Sequence, residues 1–156
     1  VIETKSGYNI DASQELKVHV TAPAFKEIEA SGACNIISEA KINNAGPIAL
    51  RVSGAGEIKM DLSAPRVDAD LSGAGNVSIN GETKEFNLGL SGAGEAKCYN
   101  LKSETTRVDI SGAGTAEVFA SVALTGSISG AGTINYKGGG SSNVSTSGAA
   151  SVNKAD

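Results

Sequence analysis

Glu57 with Glu95, and Asp68 with Asp70, are the acidic pairs whose spacing could support chemistry on a glycoside or uronide. Such chemistry needs one carboxyl to give up a proton and a second to act as base or nucleophile. Nothing in the surrounding sequence marks either pair as buried, so they read as parts of a solvated face. His19 is the single histidine, and no acid, nucleophile or second metal ligand can be assigned to it. The glycine-rich tetrapeptide Ser-Gly-Ala-Gly could cradle a phosphate, yet no Lys-Ser/Thr pair or helix start follows any copy of it. Calcium-binding repeats place an Asp two residues after the last glycine, where this chain has Ile58, Val77, Ala96, Ala116 and Ile134. No catalytic, cofactor-binding or metal-ligating residue is therefore assigned, and no cofactor is expected.

The elements that would have to position any such residue are set by the tetrapeptide itself. It is intact at Ser53–Gly56, Ser72–Gly75, Ser91–Gly94, Ser111–Gly114 and Ser129–Gly132. Degenerate copies flank the array at Ser31-Gly32-Ala33-Cys34 and Ser147-Gly148-Ala149-Ala150. Successive serines lie 22, 19, 19, 20, 18 and 18 residues apart. Copies at so even a pitch predict a solenoid in which each repeat is one coil stacked on the last.

Aligned on the serine, the repeats form columns. Ala30, Val52, Leu71, Leu90, Ile110, Ile128 and Thr146 precede it, with Ile28, Leu50, Ala69, Leu88, Val108, Gly126 and Val144 two residues earlier. After the motif stand Ile36, Ile58, Val77, Ala96, Ala116, Ile134 and Val152, then Met60, Ile79, Cys98, Val118 and Tyr136. A period of two on both sides is a strand signal. Each coil is then a strand, a bend, a second strand and a variable segment, with like residues about 4.8 Å apart along parallel ladders. The fold class expected is all-β, a right-handed parallel β-helix of about seven coils.

The first glycine of the motif is present in every copy, which points to a backbone conformation closed to other residues. The second yields to Cys34 and Ala150 in the end coils, which points to crowding by neighbouring coils. Cys34 and Cys98 fall three coil steps apart, about 14 Å, beyond the roughly 7 Å a disulfide allows. Both are expected as free, buried thiols. Among exposed columns, Glu29, Arg51 and Asp70 make an acid-base-acid ladder, and Lys97 falls beside Glu117.

The chain has 156 residues, no Trp, few other aromatics and a net charge of −4. One domain is expected, with residues 1–24 as N-terminal strands or cap and 25–156 as the solenoid. Leu16-Lys17-Val18-His19-Val20 alternates and predicts a strand with His19 on its solvent side. The mild charge offers no basic patch for nucleic acid, and no run is long and apolar enough to span a membrane. The start at Val1-Ile2-Glu3-Thr4 resembles a strand, so an upstream targeting segment or further sequence is expected to have been removed.

The hydrophobic-Ser-Gly-Ala-Gly-x-hydrophobic repeat, led by residues 16–23, resembles the head GIN domain family of auto-transporter adhesins, formerly a domain of unknown function and common in Bacteroidetes. The likeness covers about residues 14 to 154. It implies a pectate-lyase-like β-solenoid in a secreted, periplasmic or outer-membrane-associated protein, often with a lipoprotein-type leader. It also implies a further β segment upstream, within which this chain begins. The family supplies no catalytic residues. The leading expectation is a non-enzymatic, envelope-exposed solenoid that engages an unknown macromolecule, protein or glycan. The alternatives are a carbohydrate-binding or carbohydrate-active solenoid, and a structural spacer whose coils or faces pair into a homo-oligomer.

Overall fold

The computed structural model describes residues 17–155. Among them it has thirteen strands and no helix, wound into a parallel β-solenoid of about seven turns. In chain order the strands are β1 Glu27–Gly32, β2 Asn35–Ile37, β3 Ile42–Asn43, β4 Ile48–Gly54, β5 Glu57–Gly73 and β6 Asn76–Gly92. They continue as β7 Glu95–Lys97, β8 Leu101–Gly112, β9 Thr115–Phe119, β10 Ala123–Gly130, β11 Thr133–Lys137, β12 Ser141–Gly148 and β13 Ser151–Lys154.

Every pairing is parallel, and the serine of each motif copy faces the serine of the next. The series runs Ser31, Ser53, Ser72, Ser91, Ser111, Ser129 and Ser147 without a slip in register. The column alignment is thus the hydrogen-bonding register itself. Ala30, Val52, Leu71, Leu90, Ile110 and Ile128 are buried, as are Ile58, Val77, Ala96, Ala116 and Ile134 across the interior. Burial alternates along each strand because successive side chains point to opposite faces. In β5 and β6 the strand continues through the variable segment, so Ser63 faces Glu82 and Ala64 faces Thr83 on a short third side. The alternation breaks at Pro65-Arg66, both exposed between buried Ala64 and Val67, which marks the corner back to the first side.

The two glycines of the motif differ as their sequence columns suggest, with one addition. The first takes φ from +90 to +131 in every copy. At Gly54 a Cβ would also stand 2.6 Å from the carbonyl oxygen of Gly32. The second takes no such φ but is crowded: a Cβ on Gly56 would lie 2.5 Å from the Cys34 carbonyl oxygen. The backbone crowding comes from the coil before. Cys34, in the first described coil, has no such carbonyl behind it. At Gly132, one coil before Ala150, the Gly114 carbonyl has drawn back to 3.3 Å, and the nearest atoms to a Cβ there are instead Ile110 Cγ2 at 2.7 Å and Ile128 Cγ2 at 2.9 Å.

Three sequence expectations are corrected. Lys17–Val20 form no strand, and Val18 and Val20 are exposed; alternation alone does not make a strand when no described neighbour pairs with it. Leu16 and the segment from Val1 lie outside the described residues. Cys34 is only half-buried, because it lies in the first described coil, whereas Gly56, Gly75, Gly94, Gly114 and Gly132 in the same column are buried between coils; Cys98 is fully buried, and both thiols are free. Arg51 aligns with Glu29 and Asp70 as read, but its guanidinium pairs diagonally with Glu27.

Polar groups inside the solenoid are matched. Asn44 donates through Nδ2 to the carbonyls of Phe25 and Gly46, each at 2.9 Å, and so pins the longest inter-motif segment to the start of the first coil. Thr106 occupies the column of Phe86 and Leu124, yet it donates to the Phe119 carbonyl at 2.7 Å and lies 2.6 Å from the Ser103 hydroxyl. The Ser103 hydroxyl also donates to that carbonyl. β9 ends at Phe119 with its carbonyl turned inward, so donors are needed where the column otherwise calls for hydrocarbon.

Candidate functional site

The side preceding the Ser-Gly-Ala-Gly corner carries the richest outward lattice, because β4, β5, β6, β8 and β10 all contribute to it in register. One outward column reads Glu29, Arg51, Asp70, Gly89, Asp109 and Ser127. The next reads Glu27, Ala49, Asp68, Asn87, Arg107 and Thr125. Period two puts both columns on one face.

Most of these groups are bound to each other. Arg66 Nε donates to both oxygens of Asp68 at 3.0 Å, and Asn87 Nδ2 donates to Asp68 Oδ1 at 2.7 Å. Arg107 Nε donates to Asp109 Oδ2 at 2.7 Å, and the Ser127 hydroxyl donates to Asp109 Oδ1 at 2.8 Å. The Asp70 carboxylate stands apart, with no side-chain hydrogen bond or ion pair among the described residues. Its Oδ1 lies 2.7 Å from where a Cβ on Gly89 would be, so the carboxylate leans over the one position of this column that has no side chain.

The missing side chain makes a depression of about 510 Å³ whose charged lining is Arg51, Arg66, Arg107, Asp68, Asp70 and Asp109. A second depression of about 270 Å³ shares Asn87 and Arg107 with it and reaches Thr105 and Thr125. Together they form an open polar groove over several coils. Exposed ion pairs add little to stability, so the order of this lattice bears on what can lie against it.

The residues singled out from sequence fall in three places. Asp68 and Asp70 are in the groove. Glu57 and Glu95 are on the side after the corner, two strand steps apart with Asn76 between them. Glu95 there binds Lys97 at 3.0 Å, and this bond, with the Glu95 charge and more weakly those of Glu117 and Glu57, holds the Lys97 ammonium above its ordinary pKa. Lys97 faces Glu117 across the ladder, as its column required. His19 is exposed, with Nδ1 3.2 Å from Glu39 Oε1. Sequence reading missed Gly89, although the column that begins Glu29, Arg51, Asp70 reaches it one coil later. It also missed Lys102, whose ammonium lies 4.0 Å over the Phe119 ring. Among the described residues no cluster of three His, Cys, Asp or Glu side chains could hold a metal ion, and no helix is long and apolar enough to cross a membrane.

Fold and face together define a parallel β-solenoid with a polar groove along one lateral side. The chain belongs to the family described as putative auto-transporter adhesin, head GIN domain, whose model matches residues 1–140. Among solved structures it is similar to a putative adhesin from Parabacteroides distasonis ATCC 8503, at 26% identity and a TM-score of 0.77, covering 83% of this chain and 55% of that one. A protein from the same organism described as a putative lipid binding protein shares the fold at 24% identity and a TM-score of 0.78, covering 83% and 53%. A putative adhesin from Bacteroides fragilis NCTC 9343 does so at 19% identity and a TM-score of 0.63, covering 74% and 56%. The chain thus spans little more than half the length of these structures. No curated protein matches it. The family and the adhesin-named neighbour support an adhesin-like module, and adhesin families act at cell surfaces or after secretion.

Proposed function

We propose that this chain is a non-enzymatic recognition module of the cell envelope, and that the groove of Asp70, Gly89 and Asp109 is where it engages another macromolecule. The observation that carries the reading is the ordered, solvent-open lattice of Arg, Asp and Asn on one side, centred on a position without a side chain. An extended partner can lie along such a groove because the two depressions share Asn87 and Arg107 and follow the stacking direction. Family membership supports a surface or secreted setting. A non-enzymatic role is supported by how the carboxylates are engaged. Asp68 and Asp109 are held by guanidinium groups on the open face, whereas a general acid is ordinarily kept protonated by burial.

The test immobilises mucin, collagen, fibronectin and peptidoglycan and measures binding of the chain by biolayer interferometry, alongside glycosidase and polysaccharide-lyase assays. The reading expects binding to at least one surface, loss of that binding in Arg66→Glu/Arg107→Glu, and no turnover. Turnover abolished by Asp70→Asn, or binding indifferent to the paired substitution, would overturn it.

A further inference from the structure

Resting on the groove as the recognition surface, we propose that its ligand is a neutral, hydroxyl-rich glycan chain, read around Gly89 without aromatic stacking. The first ground is charge. The depression is lined by three guanidinium groups, Arg51, Arg66 and Arg107, and three carboxylates, Asp68, Asp70 and Asp109. With Glu85 of the adjoining depression, 3.9 Å from Arg66, the two signs are interspersed over the groove, so neither a polyanion nor a polycation meets a field of one sign. Two of the carboxylates already have their counter-charge within 3.0 Å, and an ionic ligand would have to displace it.

A sugar hydroxyl both donates and accepts, as a mixed lattice requires. Asp70 supplies unengaged acceptor oxygens at the notch. The guanidinium of Arg107 uses Nε for Asp109, which leaves its terminal N–H groups to donate outward. Asn87 gives one amide hydrogen to Asp68 and keeps its carbonyl oxygen as an acceptor. Vicinal hydroxyls can bridge such neighbouring donors and acceptors. The second ground is shape. Gly89 is half-buried, and its backbone can be approached more closely than any other position in its column. The notch continues past Asn87 to Thr105 and Thr125, so more than one sugar unit can be accommodated along the stacking direction. With no aromatic ring among the described residues that line the two depressions, each contact is weak and exchange is fast.

Saturation-transfer NMR on the intact chain, with neutral gluco-, manno-, galacto- and N-acetylhexosamine oligosaccharides, tests the proposal against oligogalacturonate and hexalysine. At least one neutral oligosaccharide should bind, and Gly89→Thr should weaken it tenfold or more. Gly89 has ordinary backbone dihedrals, and the only near obstacle is the tip of the Asp70 side chain, so this variant should fold with an unchanged melting temperature. Asp70→Asn keeps acceptor capacity and should weaken a neutral glycan less than tenfold, whereas it would abolish binding of a cation held by that carboxylate. Binding of oligogalacturonate or hexalysine alone, or of no neutral oligosaccharide, overturns the ligand class. If Arg66→Glu/Arg107→Glu still loses the immobilised surface in that case, the groove stands as recognition surface. If neither binding responds to this face, both readings fall.

Discussion

The carbonyl oxygen of Gly32 accepts a hydrogen bond from the Ala55 N–H at 3.2 Å, and that same oxygen occupies the space a Cβ on Gly54 would need, 2.6 Å away. The next coils repeat the arrangement: the Ala74 N–H reaches the Gly54 carbonyl at 3.1 Å and the Ala93 N–H reaches that of Gly73 at 3.0 Å. The hydrogen-bond ladder thus runs unbroken around the corner, and it can do so only if each corner is bare toward the coil before. This one-sidedness explains why the motif tolerates Cys34 at the start of the array.

The same relationship separates substitutions by position. Gly32→Ala meets nothing within 4 Å and should cost only the left-handed backbone, about 1–2 kcal/mol. Gly54→Ala adds collision with backbone and should cost about 4 kcal/mol or more. Gly92→Val should prevent folding. Gly148→Val carries an equal clash, but β12 is exposed almost throughout, so the last coil can detach instead. Urea unfolding should place Gly54→Ala below Gly32→Ala, show no cooperative transition for Gly92→Val, and leave the main transition of Gly148→Val near that of the parent. Hydrogen exchange in Gly148→Val should quicken only near residues 141–154, and global destabilisation by that variant would contradict the one-sided argument.

Thr106→Val swaps a buried hydroxyl for a methyl of similar shape in an otherwise apolar column. Ordinary core reasoning makes it neutral or stabilising. Here it should cost about 1–3 kcal/mol, because the inward Phe119 carbonyl loses a donor. Ser103→Ala should cost a similar amount, and the double variant more than the sum, since only it leaves the Phe119 carbonyl with neither hydroxyl donor. Simple additivity in urea titrations would show that they do not act as a unit.

The two thiols should differ sharply. Burial pushes the Cys98 thiol up to about 12, so it stays protonated in the fold while the unfolded chain ionises in the ordinary thiol range. Stability should therefore fall as pH rises from that range toward 12, by roughly 1.4 kcal/mol per unit at most. Cys98→Ala should remove this slope, and a slope unchanged by that substitution would refute the assignment. At pH 8, iodoacetamide should modify half-buried Cys34 promptly and Cys98 only through unfolding.

The register was legible because one tetrapeptide recurs in every coil and small residues cannot slip without exposing the core columns. The contrast between the two glycines was legible for the same reason. What escaped was set by direction rather than by type. The inward turn of the Phe119 carbonyl decides Thr106, and the reach of the Arg51 side chain decides that it meets Glu27. The alternation over Lys17–Val20 misled because a strand needs a neighbour as well as a pattern, and none pairs with it among the described residues. The groove was half visible, since Asp70 was read in its column but the gap at Gly89 beneath it was not.

The central claim is that coil stacking gathers Arg51, Asp70, Gly89, Asp109 and Ser127 into one column although 18 to 20 residues separate each from the next. Spin labels at Arg51→Cys and Ser127→Cys, with Cys34 and Cys98 replaced by alanine, measure this directly by pulsed electron resonance. Four strand steps predict a narrow backbone separation of about 19 Å, and Arg51→Cys with Asp109→Cys should give about 14 Å. Distances that are broad, far longer, or not shorter for the nearer pair would contradict the stacked column and the groove built upon it.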